Sequence, residues 1–341
     1  MIRKKTAEKP AEKKTAEKKP AEKKPEVIKL AQRNYFGKAL AALAAKDPNV
    51  VVLDADLADS TKTAEFKKVA PERFIEVGIA EQNMIGVASG LAASGKTVFA
   101  STFAVFASGR CWEQIRLAVA YPKLNVKIVA THCGISVGED GASHQALEDI
   151  AIMRALPNMT VISPADAYEA YAATLAIAEF DGPVYMRMGR AEFPTIMPQD
   201  TEFIIGKATV LKEGDDVTLV GTGQMVSQCM EAVKILAKKK ISAEVINMST
   251  IKPLDTETLL DSLKKTGCAV TAEEHSIIGG LGSAVAEFTS QEFPVPIERV
   301  GTKDTFGESG TPDQLFEKYG LTVTDIVDAA LRAVERKELK E

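Results

Sequence analysis

From about residue 30 onward the chain alternates short apolar runs with helical stretches, and that rhythm restricts the fold more than any other feature. Residues 35–46 (YFGKALAALAAK) suit an amphipathic helix, and Val50 to Leu53 form an apolar run suited to a buried strand. Further strand candidates fall at 74–77, 97–101, 126–131, 160–163 and 183–187, with helical stretches between most of them. Apolar strands of about five residues separated by helices imply a mainly parallel sheet covered on both faces. Residues 191–205 break the rhythm with two prolines and mixed polarity, so a domain boundary is expected there. A second α/β segment follows, with strands near 208–212, 216–220, 243–247, 268–271 and 297–300. Gly214-Asp215 reads as a hairpin turn, Gly221-Thr222-Gly223 as a strand-to-helix turn, and residues 323–338 as the last helix. The expectation is an α/β protein of two doubly wound, mainly parallel-sheet domains, 28–190 and 206–341, joined by the linker 191–205.

The length of 341 residues agrees with about two domains. Ahead of them, residues 1–27 form a Lys/Ala/Glu/Pro segment that repeats an Ala-Glu-Lys-Lys unit, punctuated by Pro10, Pro20 and Pro25. Such a segment cannot bury enough apolar surface to offset chain entropy, and a disordered basic tail is expected. It is either a solubilising extension or is drawn to an acidic surface. Residues 1–25 carry ten Lys/Arg and four Glu, which leaves 32 basic and 43 acidic residues in the body, a net charge of −11. A body so acidic argues against nucleic acid as the main ligand. The four cysteines show no CxxC spacing, as expected of reduced thiols in a cytoplasmic protein. No apolar run approaches the ~18 residues that a membrane span needs, and the N-terminus has no apolar h-region.

Chemistry-bearing residues cluster in a few stretches. Val77-Gly-Ile-Ala-Glu81-Gln-Asn83 lies between a strand and a helix rich in small residues, which places Glu81 beyond the carboxyl end of a strand, where open α/β sheets bind ligands. Taken alone, Glu81 is also an acid matched to a helix macrodipole. Phe103 and Phe106 are spaced to share one face of a starting helix, as a core pair would also be. Of only three histidines, His132 and His144 fall within Thr131-His-Cys-Gly-Ile-Ser-Val-Gly138-Glu-Asp140-Gly141-Ala-Ser-His144-Gln. Gly279-Gly280-Leu-Gly282 before a helix could cradle phosphate, although a tight turn permitted by glycine explains it as well.

Taken in order, Asp54-Ala-Asp56-Leu with Ser60, Glu76-Val-Gly-Ile-Ala-Glu81-Gln and Ser101-Thr-Phe103-Ala-Val-Phe106 resemble the transketolase family. So do the Thr131–Gln145 motif, Arg187-Met-Gly-Arg190 and Glu273-Glu-His275 with its following glycines. The resemblance covers about residues 30–337 and implies a thiamine-diphosphate pyrimidine-binding domain followed by a transketolase C-terminal domain. It implies transfer of a two-carbon ketol unit from a ketose phosphate to an aldose phosphate in the pentose phosphate pathway. Glu81 matches the glutamate that hydrogen-bonds N1′ of the aminopyrimidine, a carboxyl sheltered so that its pKa rises and a proton can be shared. Phe103 and Phe106 match the aromatic wall against that ring, and Asp56 matches a position near the cofactor at the domain seam. Asp140 matches a contact to a substrate hydroxyl. Arg33, Ser60, His132, His144 and Arg190 match the channel toward the sugar phosphate, with His144 counted beside Glu81 as catalytic. The stretch Phe106–Gln114 is one residue longer than in some members, so that Gly109 or Arg110 falls where others carry an aromatic, and the third wall residue stays unassigned.

The family holds the diphosphate through Mg²⁺ with a Gly-Asp-Gly and a later Asn, an element that does not occur in this chain, and no metal ligand is expected here. The resemblance therefore implies a separate N-terminal subunit that carries the diphosphate and Mg²⁺, and an α₂β₂ assembly acting on sugar phosphates. Two other thiamine readings stay open, a deoxyxylulose-phosphate synthase-like protein and a 2-oxoacid dehydrogenase beta-type subunit. A scaffold or regulatory paralogue without activity is the non-enzymatic alternative.

Overall fold

The computed structural model describes residues 28–339, so the tail expected over 1–27 lies outside the described residues. The strands are β1 (Lys29–Ala31), β2 (Val50–Asp54), β3 (Phe74–Glu76), β4 (Thr97–Phe103), β5 (Val126–Thr131), β6 (Thr160–Ile162) and β7 (Val184–Arg187). They continue with β8 (Glu192–Pro194), β9 (Thr209–Lys212), β10 (Val217–Gly221), β11 (Ala243–Asn247), β12 (Thr250–Lys252), β13 (Ala269–Ser276) and β14 (Ile297–Thr302). A seven-stranded sheet runs β12-β6-β7-β5-β4-β2-β3 and a five-stranded sheet runs β14-β13-β10-β11-β9. Only the edge strands β12 and β9 are antiparallel to their neighbours in these sheets. The expected doubly wound α/β architecture is therefore what forms.

The reason lies in the period of two along each strand. In β2, Val51 and Leu53 enter one core cluster while Val50 and Val52 enter another on the opposite face. In β10, Val217 and Leu219 likewise face one layer and Val220 the other. Both faces are buried, so the strands read as continuous apolar runs rather than alternating ones.

Three local features depart from the sequence reading. Gly214-Asp215 is not a hairpin turn: β9 pairs with β11, Val210 opposite Ile246, so β11 separates it from β10. Gly214 is needed because the chain crosses over β11 there, and an added Cβ would lie 2.2 Å from the Ala243 carbonyl carbon. Within 191–205, β8 pairs with β1 in a two-stranded antiparallel ribbon. Finally β12, from the second segment, extends the first sheet at Thr250 opposite Ile162, so the two segments share an edge.

Buried polar groups bind the segments together. Asp149 Oδ2 accepts from Arg187 Nε at 2.8 Å and from the Tyr185 hydroxyl at 2.7 Å. Arg187 Nη2 donates to the Glu274 carbonyl at 3.2 Å, and Glu274 Oε1 accepts from the Ser136 amide at 2.6 Å. The glycine run before the helix Leu281–Glu292 resolves in the same terms. Glu273 accepts from the amides of Leu281 and Gly282 at 2.6 and 2.8 Å, so a protein carboxylate already occupies that helix N-terminus. A Cβ on Gly280 would stand 1.9 Å from Glu273 Oε2, which explains the glycine as a close approach and not as a phosphate cradle. Among the described residues no helix is long and apolar enough to cross a membrane.

Candidate functional site

The site residues gather around the carboxyl ends of β2 to β5. After β3 the chain turns through Gly78 (φ +69°), whose amide bonds Glu76 Oε1 at 3.1 Å, and the helix Glu81–Ala93 begins. Its first residue is Glu81, which is only 6% exposed. Glu81 Oε1 accepts from Arg110 Nη1 at 2.8 Å, while the Arg110 side chain is about half exposed. Gln82 Nε2 donates to the Arg110 carbonyl at 3.0 Å. Together with Ile79, Ala80 and Asn83 these residues line an open cleft of about 420 Å³.

Phe103 and Phe106 do share a face, but not on one helix. Phe103 ends β4 and Phe106 opens a π-helical turn, Phe106–Arg110. Their rings stack at 5.8 Å with a 20° tilt. His132 stacks on Phe103, 3.8 Å from its centroid and tilted 23°. His144 stands edge-on to Phe106 at 5.4 Å and to Phe103 at 6.2 Å. The Arg110 guanidinium lies 4.1 Å over the Phe106 ring, and so links the aromatic stack to Glu81. Sequence reasoning left Arg110 unassigned; its place over Phe106 and beside Glu81 comes from the π-helical turn.

A basic cluster adjoins the stack. His132 has φ +58°, and its Nδ1 lies 2.9 Å from Thr131 Oγ1. Burial, with Arg33, Arg190 and His144 nearby, lowers its pKa to about 3, so the ring is neutral at physiological pH. Arg33 Nη1 donates to the Ser60 carbonyl at 2.9 Å, but its buried Nε has no partner among the described residues. Burial and Arg190 lower the Arg33 pKa as well. Arg190 Nη1 donates to the Val137 carbonyl at 2.7 Å and meets Glu139 at 3.4 Å. His144 Nδ1 lies 2.9 Å from Ser143 Oγ. Two arginines side by side, one with an unsatisfied buried donor, suit an anionic group that supplies acceptors to both.

Asp56 and Asp140 stand differently. Both are exposed, and neither side chain makes a hydrogen bond among the described residues. The Asp56 backbone has φ +63°, and its N–H donates a hydrogen bond to Glu76 Oε1 at 2.7 Å. Sequence reasoning assigned no role to Asp54, which organises this loop. Its buried carboxyl accepts from Thr61 and Thr63 hydroxyls at 2.7 and 2.8 Å and from the Leu57 amide at 2.7 Å. Burial raises its pKa to about 6. Asp54 thereby fixes the turn that carries Asp56 and Ser60. Its signal was an acid closing an otherwise apolar strand. Among the described residues, no group of three or more His, Cys, Asp or Glu is placed to hold a metal ion.

Family models match both segments: the transketolase pyrimidine-binding domain over residues 28–195 and the transketolase C-terminal domain over 206–326. A transketolase C-terminal section of Methanocaldococcus jannaschii is 52% identical over 308 residues, covering 89% of this chain and 96% of that protein. A 6-deoxy-6-sulfo-D-fructose transketolase subunit of a Clostridium species is 47% identical over 308 residues, covering 90% and 96% respectively. A solved structure described as a split-gene transketolase, inactive β4 tetramer, superposes with a TM-score of 0.85 at 55% identity, covering 90% of this chain and 99% of that one. This chain belongs to the transketolase family, of which it comprises the pyrimidine-binding and C-terminal domains.

Proposed function

We propose that this chain is the C-terminal subunit of a two-chain, thiamine-diphosphate-dependent transketolase, with residues 28–190 as its pyrimidine-binding unit and 206–341 as its C-terminal unit. The single observation that carries the reading is the juxtaposition of Glu81, the Phe103/Phe106 stack and the basic cluster at the ends of neighbouring strands. A buried carboxylate beside a flat apolar wall fits a hydrogen-bonding heteroaromatic ring, and the orphaned Arg33 donor fits an anionic substrate. Thiamine diphosphate, when bound, would supply the carbon nucleophile that takes up the ketol unit. Glu81 would hold N1′ of its aminopyrimidine, Phe103 and Phe106 would exclude water from one face of the ring, and Asp56 would lie near it.

On the substrate side Arg33 and Arg190 provide charge and paired donors for the sugar phosphate, with Ser60 beside them. His132, being neutral, contributes hydrogen bonds from a fixed ring rather than charge. His144 would exchange a proton with the sugar, and Asp140 would hold a hydroxyl. The diphosphate and Mg²⁺ would be held by a separate N-terminal subunit. The split-gene neighbour, described as an inactive β4 tetramer, supports self-association of this chain; the assembled enzyme would be α₂β₂, in the cytoplasm. The sulfosugar relative widens the substrate question, because a basic cluster recognises an anionic terminus, sulfonate or phosphate.

The test is to assemble the chain with a diphosphate-binding partner, thiamine diphosphate and Mg²⁺ and to compare donors and acceptors. Ketol transfer from xylulose 5-phosphate to ribose 5-phosphate supports the pentose phosphate reading, and transfer only from 6-deoxy-6-sulfofructose moves it to sulfosugars. Turnover confined to pyruvate with glyceraldehyde 3-phosphate would overturn the transketolase assignment, and no turnover with any pair would favour a scaffold.

A further inference from the structure

We propose that Arg110 is a positioning residue that latches Glu81, and that the cofactor's aminopyrimidine displaces it from the carboxylate when the site is loaded. The inference rests on the thiamine reading above and concerns one residue of that site. Glu81 Oε1 carries the Arg110 bond at 2.8 Å, whereas Oε2 has no hydrogen bond among the described residues. Arg110 sits at the lip of the cleft formed with Ile79, Ala80, Gln82 and Asn83, so a ring entering that cleft meets the guanidinium at the carboxylate it needs.

Two contacts hold Arg110 independently of Glu81. Its guanidinium lies 4.1 Å over the Phe106 ring, and its carbonyl accepts from Gln82 Nε2 at 3.0 Å. The side chain can therefore pivot off Glu81 while its backbone and its aromatic support stay in place. With Arg110 about half exposed, the pair is one that a competing ligand can break. A latch of this kind weakens apparent affinity by the fraction of molecules in which it is closed.

Thiamine diphosphate binding to the apo two-chain complex in Mg²⁺, measured by calorimetry, tests this. Arg110→Gln should tighten the Kd about three- to five-fold, the span set by a partly exposed ion pair. Arg110→Lys, which keeps the charge, should restore the native Kd. In a Glu81→Ala background the Arg110→Gln effect should vanish, which a purely structural role for Arg110 would not produce. Equal or weaker binding by Arg110→Gln, or an effect that survives in Glu81→Ala, overturns the latch and leaves the thiamine reading standing. Absence of binding by the native complex overturns the thiamine reading and the latch with it.

Discussion

Glu81 and the basic cluster ask opposite things of their surroundings. Glu81 is buried, with one oxygen tied to Arg110 and the other without a hydrogen bond among the described residues, while Arg33 and Arg190 are near enough that each charge opposes the other. Replacing Glu81 by Gln should lower ketol transfer at least about 100-fold, the scale of a lost proton-transfer group, with assembly unchanged by sedimentation. Replacing Arg33 by Ala should raise KM for the anionic sugar about 10- to 100-fold with a smaller change in kcat, as steady-state kinetics would show. At this scale the gathering of Glu81, Phe103, Phe106 and the two histidines was legible because each sits in a dense local motif. Arg110 and Asp54 were not, because their roles depend on turns. A π-helical turn carries Arg110 over Phe106, and Asp54 gathers two hydroxyls and an amide from the loop beyond it.

Among elements, the strands of the two sheets were largely visible as apolar runs. The exceptions have physical causes. The strand β12 has only three residues before Pro253, too short for a period to show, and its partner lies in the other segment. The strand β9 was read in place but its partner was not: it pairs with β11 at a sheet edge, and Gly214 mimics a hairpin signal while serving a backbone crossing. The helix Leu281–Glu292 depends on Glu273 for its first amides. Glu273→Ala should destabilise the chain by about 1–3 kcal/mol, read as a lower denaturant midpoint at unchanged m-value.

For the molecule as a whole, buried ionisable groups at the seam between the segments set its pH response. Burial raises Glu169 from its ordinary 4.5 to about 7, with Asn247 and Ser249 from the second segment bonded to Oε1 at 2.9 and 2.7 Å. A carboxyl whose folded pKa is raised contributes stability that is fully present below the unfolded value and lost as pH rises through the folded one. The stability of the native chain relative to Glu169→Gln should therefore be greatest near pH 4.5 and decline toward pH 7, as denaturant titrations across that window would show. A difference that does not change with pH would remove Glu169 from this account.

On the proposed function, this chain holds one side of an active site whose diphosphate and metal side comes from another chain. Its most direct test is ketol transfer with thiamine diphosphate and Mg²⁺ by the purified chain, alone and after mixing with a diphosphate-binding partner. No transfer is expected from the chain alone, with turnover on mixing and loss of that turnover with Glu81→Gln. Sustained turnover by the chain alone, or full activity of the Glu81→Gln mixture, would contradict it.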